Sequence, residues 1–124
     1  MRRSFWGWGW EERLPDEDGR RALGAQIASM LGCPAPEPRP LPELKQAIAA
    51  APASAVAPPP AIADICDASP EARLRHTYGR AYRDLVRGFA CNFSPAPDFV
   101  CLPRTEEDVV RALEGCANAG IAVA

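Results

Sequence analysis

The chain has 124 residues, of which 48% are hydrophobic, and its formal net charge is −2. This length allows one modest domain with a small core, because much of the hydrophobic fraction is alanine, which buries little area per residue. The balanced charge creates no overall positive field, so the composition argues against binding to nucleic acid or to an anionic membrane surface.

The amino-terminal residues MRRSFWGWGW contain all three tryptophans of the protein, Trp6, Trp8 and Trp10. A secretory signal needs an apolar run of about 7–15 residues and a membrane span needs roughly 20. The run here is broken by glycine and ends at Glu11, so we expect a soluble, cytoplasmic protein. The indoles could stack on sugars or bases, but few polar groups surround them. We interpret residues 5–10, the tryptophan strap, as a packing element whose glycines let the backbone lie close to what it covers.

Residues 16–31 have the pattern of an amphipathic helix. An acidic start at positions 16–18 suits the positive end of a helix dipole, and Gly32 is a natural stop. Helical spacing places four apolar side chains on one stripe, which we expect to face the core: Leu23, Ile27, Met30 and Leu31.

Residues 33–68 are rich in proline and alanine, with nine of the 14 prolines between Pro34 and Pro60. Proline fixes φ and removes a hydrogen-bond donor, so this stretch is predicted to run extended, with one short helix around residues 43–50. We interpret it as a solvent-exposed connector. A polyproline ligand for another protein is the alternative.

Ser69 and Pro70 form a helix-start signature, and the helix that follows is predicted to break near Gly79. Acidic residues interrupt its run of arginines, which favours a solvated helix face over a nucleic-acid site. Asp84 is predicted to be a surface carboxylate or a partner for Arg80 or Arg87. His76 and Tyr78 could be considered as an acid–base pair, but no carboxylate partner is evident, so we interpret His76 as structural or exposed. The arginines are Arg73, Arg75, Arg80, Arg83 and Arg87.

The last thirty residues predict a strand, a helix and a second strand. The apolar run 99–102 is typical of a buried strand, and Thr105 with Asp108 forms an N-terminal helix cap. A second apolar strand is predicted at residues 121–124, parallel to the first. The helix is expected to turn one face inward, formed by Val109, Val110, Leu113, Cys116 and Ala117.

The cysteines carry no metal-site pattern, since none forms a CxxC pair and His76 is the single histidine. Their odd number and irregular spacing predict free thiols, mostly buried as small hydrophobic side chains in a reducing compartment. No base is evident that would activate Cys91 or Cys101. The five are Cys33, Cys66, Cys91, Cys101 and Cys116.

The carboxy-terminal text FVCLPRTEEDVVRALEGCANAGIAVA resembles the start of the FAD-binding domain of the vanillyl-alcohol oxidase and para-cresol methylhydroxylase (PCMH) class of flavoproteins. FWGWGW and RHTYGRAYRDLVRG are similar to the amino-terminal region of one branch, the alkyldihydroxyacetone-phosphate (alkylglycerone-phosphate) synthases and bacterial FAD-linked oxidases. The resemblance covers nearly the whole chain except its proline-rich middle.

The resemblance implies an α+β fold. A tryptophan–glycine segment and helix (1–32) would precede the proline-rich connector (33–68), a helical region (69–94) and the first strand-helix-strand of a PCMH-type FAD-binding domain (95–124), there truncated. FAD and a small-molecule or lipid-phosphate substrate would be the partners of the whole enzyme. Its chemistry would be alkyl transfer in ether-lipid biosynthesis or oxidation of a hydroxy acid. The glycine-rich phosphate loop and the catalytic histidines match no position here, so no catalytic, FAD-binding or metal residue is assigned.

We therefore expect the chain to be an inactive amino-terminal fragment of a longer flavoenzyme. The tryptophan strap would then cover parts of that enzyme that lie outside this chain, leaving its apolar surface stranded and poorly ordered. A non-enzymatic interaction module that uses the proline-rich stretch is the alternative.

Overall fold

The computed structural model describes residues 1–124 and contains five short to medium α-helices and one two-stranded sheet. The helices are α1 (Glu17–Leu31), α2 (Leu44–Ala49), α3 (Pro70–Arg75), α4 (Tyr82–Phe89) and α5 (Glu106–Asn118). The strands are β1 (Cys66–Asp67) and β2 (Val100–Cys101), and 3₁₀ helices cover Glu11–Arg13 and Pro60–Ile65. This mixture of helices with a small antiparallel sheet agrees with the predicted α+β class.

The predicted helix starts are confirmed by their side-chain caps. The Asp16 carboxylate accepts a hydrogen bond from the Gly19 N–H (2.8 Å), and the Ser69 hydroxyl accepts one from the Ala72 N–H (3.3 Å). The Thr105 hydroxyl caps α5 in the same way through Asp108 (3.1 Å). These short-range signals need only a few consecutive residues, which is why sequence alone locates them.

The expected inward stripe of α1 is wrong, because all four of its side chains are exposed. Leu23 and Ile27 are 50% and 47% exposed, Met30 and Leu31 are 79% and 72% exposed, and Ala28 is the one buried residue of the helix. Helical spacing shows which side chains share a face, but only tertiary packing decides which face meets the protein. Here that face is the narrow one around Ala28.

The predicted parallel strand-helix-strand unit is also corrected. The first strand is reduced to β2, which pairs antiparallel with β1, in the register Cys66↔Cys101 and Asp67↔Val100. Residues 121–124 form no strand. The Ile121 N–H donates instead to the Cys116 carbonyl (2.9 Å), and Gly120 has a φ of 67°, so the residues after α5 close the helix with a left-handed cap.

Helix α5 turns a different face inward from the predicted one. Cys116 is buried as expected, but Val109, Val110 and Leu113 are 43%, 51% and 52% exposed. The inward face is set by the 3₁₀ helix Pro60–Ile65, because Gly115 lies against the fully buried Ile62. A β-carbon at position 115 would stand 2.8 Å from Ile62 Cγ2, so only glycine permits this close approach.

The proline-rich connector contains part of the core. Its helix α2 lies where the sequence predicts it, but Ala47 and Ile62 are 0% exposed. The interpretation of the stretch as solvent-exposed is therefore wrong at these two positions, although residues 34–41 are almost all exposed. Composition alone does not reveal which few residues of such a stretch are buried.

The main hydrophobic cluster draws on four distant parts of the sequence: Phe5, Ala47, Leu74 and Phe93. Only ten of the 124 residues are buried, so the hydrophobic core is small for a chain of this length. One polar tie joins two loops, since the Asp98 carboxylate accepts hydrogen bonds from the N–H groups of Ala55 (2.6 Å) and Val56 (3.3 Å).

Gly24 inside α1 and Gly32 at its C-terminal cap should respond oppositely to alanine. Gly24 is inside the helix, and an added β-carbon would approach nothing closer than the Pro36 carbonyl at 4.0 Å. Gly24→Ala should therefore raise the free energy of unfolding by roughly 0.5–1 kcal/mol. Gly32 has a φ of 65°, so Gly32→Ala should lower it by about 1 kcal/mol. Urea unfolding of both variants measures this, and changes of the same sign would contradict the left-handed cap.

Acid should destabilise the protein partly through Asp98. The hydrogen bond from Ala55, followed by those from Val56 and Ser54, lowers the pKa of this carboxyl below its usual value. In the unfolded chain the pKa returns to about 3.9, so the unfolded state binds the proton first and stability falls as the pH drops from that value through the folded-state pKa. Asp98→Asn should flatten this part of the acid limb of a stability–pH curve. An acid limb identical to that of the original protein would show that the tie contributes nothing.

Candidate functional site

The tryptophan strap is the loop of a small amino-terminal hairpin. Arg3 and Trp10 form an antiparallel bridge, and the Ser4 N–H donates to the Gly9 carbonyl (3.0 Å). Gly9 has a φ of 98°, a backbone conformation that residues with a side chain rarely adopt. This conformation allows the chain to reverse direction. The salt bridge between Arg2 and Glu11 (2.7 Å) supports the hairpin from its open end.

The strap covers residues of this same chain. Phe5 is 6% exposed and packs edge-on against Trp6, with ring centroids 4.7 Å apart. Phe5 also contacts Phe93 (6.1 Å) and Trp6 contacts Phe89 (5.8 Å). The expectation that this surface would be stranded is therefore wrong for Phe5 and Trp6, because α3, α4 and the loop after α4 supply the apolar surface they need.

The other two indoles have different roles. Trp8 is 72% exposed, but its Nε1–H donates to the Arg80 carbonyl (2.9 Å), so one edge is fixed while its face is free. Trp10 is half-buried beneath the Arg3 guanidinium, whose carbon lies 4.3 Å from the ring centroid. Cation–π contact of this kind holds the hairpin ends together.

Three of the five arginines tie segments together, so the prediction of a solvated arginine face is wrong for them. Arg73 is 4% exposed and its Nε–H donates to the Pro97 carbonyl (2.7 Å). Arg75 pairs with Glu71 (2.7 Å), and its guanidinium lies 5.1 Å from the centre of the Phe5 ring. Charge runs in a sequence do not show that a planar guanidinium will be used this way.

Arg80 is the central polar residue beneath the strap. Its Nη1–H donates to the Phe5 carbonyl (2.5 Å), while its own carbonyl accepts from Trp8. No carboxylate pairs with it, and burial, reinforced by the nearby charge of Arg75, lowers the pKa of the guanidinium. A guanidinium still remains charged at any physiological pH, so Arg80 is a permanent cation, and the Phe5 carbonyl accepts one of its hydrogen bonds.

His76 and Tyr78 do not form an acid–base pair. The His76 Nδ1 lies 2.8 Å from the Ala72 carbonyl, and the Tyr78 hydroxyl donates to the Asn92 carbonyl (2.8 Å). Each side chain therefore contacts a backbone carbonyl and not the other ring. Asp84 forms no ion pair with Arg80 or with Arg87 and is half-buried near Gly79 instead.

All five cysteines are free thiols, as predicted, but only Cys116 is buried, so the expectation that most of them are buried is wrong. Cys91 has a φ of 52° and ends α4, where the Asn92 N–H reaches back to the Arg87 carbonyl (3.0 Å). Cys66 and Cys101 lie opposite each other in the sheet with their sulfurs 3.1 Å apart. Burial, followed by the hydrogen bond with Cys101, raises the pKa of the Cys66 thiol to about 12.

The cavities around these residues are small or open. The one beneath the strap has a volume of about 30 Å³ and is lined by Trp6, Tyr78 and Arg80 among others, which is room for about one water molecule. A second, open cleft of about 310 Å³ is lined by Asp64, Cys66 and Arg104 among others. No group of three or more histidine, cysteine, aspartate or glutamate side chains is placed to hold a metal ion.

These residues do not fit FAD. The strap glycines, Gly7 and Gly9, are not a phosphate cradle, because a β-carbon at either position would contact nothing within 4 Å. The single glycine after α5, Gly120, is likewise open and stands alone in a helix cap. No step of flavin chemistry is therefore derived from this chain's residues.

Comparison of the chain with protein-family models, with curated proteins and with solved structures finds no match. None of its helices has the length and apolar character needed to cross a bilayer.

Trp6 and Trp8 should contribute differently to stability and fluorescence. Trp6→Ala should lower the free energy of unfolding by about 2 kcal/mol or more, because it removes the ring contacts with Phe5 and Phe89. Trp8→Ala should lower it by about 1 kcal/mol at most, because it removes one hydrogen bond of an exposed side chain. In the matched phenylalanine variants, Trp6→Phe should remove quencher-protected emission, and Trp8→Phe should remove emission that acrylamide quenches easily. Equal losses from both positions would contradict the seating of the strap.

Proposed function

We propose that this polypeptide forms the amino-terminal region of an FAD-dependent enzyme of the vanillyl-alcohol oxidase and PCMH class. Within that class it resembles the alkyldihydroxyacetone-phosphate synthases and the bacterial FAD-linked oxidases. The FAD pocket and the catalytic groups would come from sequence outside these 124 residues. The proposed role of this chain is structural. Its strap and helices would support the flavin domain, which would begin at residue 95.

One observation carries the proposal: two of the motifs behind the resemblance fold as a single unit. The strap (residues 5–10) and the segment 75–88 are far apart in sequence, yet they are joined by two hydrogen bonds through Arg80 and by the Arg75 guanidinium, which lies over the Phe5 ring. Their contact supports the interpretation that both motifs belong to one structural device.

The surface of α5 gives a second line of support. Its cap at Thr105 matches the motif, and Val109, Val110 and Leu113 present an exposed apolar face. A helix with such a face normally packs on a sheet or on other helices. In the proposed enzyme, the sheet of the flavin domain would cover this face.

Alkyl transfer and oxidation are both compatible with this proposal. When bound, FAD would supply the reactive ring in either reaction, and protein groups around it would choose between them. Those groups lie outside this chain in the proposal, so its residues assign neither the substrate nor the reaction.

The isolated 124-residue chain should bind no flavin at stoichiometric level. The reason is that its cavities are small or open and no glycine-rich backbone cradle is present. Titration with FAD, followed by gel filtration and absorbance near the flavin band, measures this. A small protein with a known flavin site, treated in the same way, provides the positive control for flavin binding. One equivalent of flavin that co-elutes with the chain would contradict the proposal that the FAD pocket lies outside these residues.

The coding sequence downstream of the last codon tests the family assignment itself. A glycine-rich continuation, in frame or one frameshift away, is the expected result. A stop codon followed by unrelated sequence would favour the alternative, an interaction module. That alternative draws support from residues 34–41, which have no regular structure and are almost fully exposed.

A further inference from the structure

Cys66 and Cys101 occupy directly opposed positions in the antiparallel sheet. The Leu102 N–H donates to the Ile65 carbonyl (2.7 Å), which makes 65 and 102 a hydrogen-bonded pair. Pairs alternate along an antiparallel ladder, so Cys66 and Cys101 form the non-hydrogen-bonded pair, in which the Cα atoms approach to about 4.5 Å. This spacing lies within the range of about 4.4–6.8 Å that disulfide bonds require.

The two sulfurs are already in contact. Their separation is 3.1 Å, and a disulfide bond of about 2.05 Å would need the sulfurs to move by only about 1 Å. Rotation about the side-chain bonds can supply such a shift, so the two backbones need not separate. The fold therefore holds the reduced pair close to the geometry of its oxidised form.

We propose that Cys66 and Cys101 form a reversible redox lock that closes by thiol–disulfide exchange with a small disulfide such as oxidised glutathione. The Cys66 thiolate attacks one glutathione sulfur, which forms a mixed disulfide and releases one glutathione thiolate. The Cys101 thiolate then attacks Cys66 Sγ and releases the second glutathione. The protein loses two protons and two electrons, and the small disulfide is reduced to two thiols.

The open cleft beside the sheet gives access to Cys66. Cys66 lines the open cleft of about 310 Å³, together with Asp64, Arg104 and other residues, so a small disulfide can reach it. Cys116 lies next to Cys101 but is 3% exposed. The open side therefore favours first attack at Cys66 and leaves Cys116 as a bystander.

The raised pKa of Cys66 slows the thiol–disulfide exchange that forms the lock. A thiol that is protonated at neutral pH is a poor nucleophile, so the exchange is slow in mildly oxidising conditions. The charged and titratable groups that face it are Asp64 on the 3₁₀ helix, Cys101 on β2, Cys116 on α5, and Arg104 and Asp108 at the cleft. The lock would respond to sustained oxidation more than to a brief pulse.

The lock would secure the junction that holds α5. β1 follows the 3₁₀ helix Pro60–Ile65 directly, and Arg111 of α5 binds the Asp64 carboxylate (2.8 Å) and the Ala61 carbonyl (3.0 Å) of that helix. The disulfide would also close the loop that contains α3 and α4. Closing a loop of this size restricts the unfolded chain, so the midpoint of thermal unfolding should rise by about 10 °C.

The experiment uses the full chain with Cys33→Ser and Cys91→Ser, which leaves three cysteines. Trypsin separates these three into peptides 46–73, 88–104 and 112–124. After incubation with oxidised glutathione, mass spectrometry should show a mass loss of about 2 Da, one link between 46–73 and 88–104, and one remaining thiol on 112–124. Reductant should reverse both the link and the rise in the thermal midpoint.

Three variants provide matched controls. Cys116→Ser should still form the link and gain the same stability, while Cys66→Ser and Cys101→Ser should gain none, with reduced-state thermal midpoints measured to confirm folding. A link through Cys116, a reaction that stops at the mixed disulfide, or a link without a higher midpoint would each overturn the proposal. The same rate of linkage in guanidinium would also overturn it, since the fold would then contribute nothing.

Discussion

The seating of Phe5 and Trp6 on the residues between Leu74 and Phe93 is the contact on which the rest of the structure depends. The main cluster contains one buried residue from each of four sequence segments, so none of them has a core of its own. Phe5 of the amino-terminal hairpin and Ala47 of the proline-rich stretch each contribute one buried side chain to this cluster. The burial of apolar area therefore requires all four segments to assemble together.

Because that core is small, hydrogen bonds between distant segments help to determine which segments pack together. Arg73 and Arg80 donate to backbone carbonyls of segments far away in sequence, and Asp98 gathers the N–H groups of a distant loop. A hydrogen bond of this kind adds only about 1 kcal/mol on balance, but leaving such a group buried without a partner costs more. The ties thus specify which segments meet, while the aromatic contacts supply most of the driving force.

Apolar side chains are distributed unevenly between buried and exposed positions. Those of the strap, α3 and α4 pack together, whereas α1 and α5 leave apolar side chains such as Ile27 and Leu113 exposed. Exposed apolar faces of this kind commonly mark surfaces that pack against further protein. The proposed place in a larger flavoenzyme would cover the exposed face of α5, and the proposed redox lock would act on the junction that holds that helix.

Local signals in the sequence predicted much of the secondary structure. Ser69 and Thr105 act as helix caps where expected, α1 begins at its acidic stretch, Gly32 ends α1, and the helix after Pro70 breaks around Gly79. Each of these features depends on a few neighbouring residues whose side chains meet their own backbone. The candidate site was predicted less well, since the strap was recognised as a packing element but its partner within the chain was not.

Sequence by itself determined the class of the fold, the positions of its helices and the free state of its thiols. Tertiary structure alone decided that Arg80 meets Phe5, that Cys66 faces Cys101, and that α5 turns Gly115 toward Ile62. The reason is physical: caps and periodicity act within one or two turns of chain. The inward face of a helix and the partner of a strand are chosen by which distant segments can pack closely and satisfy each other's backbone.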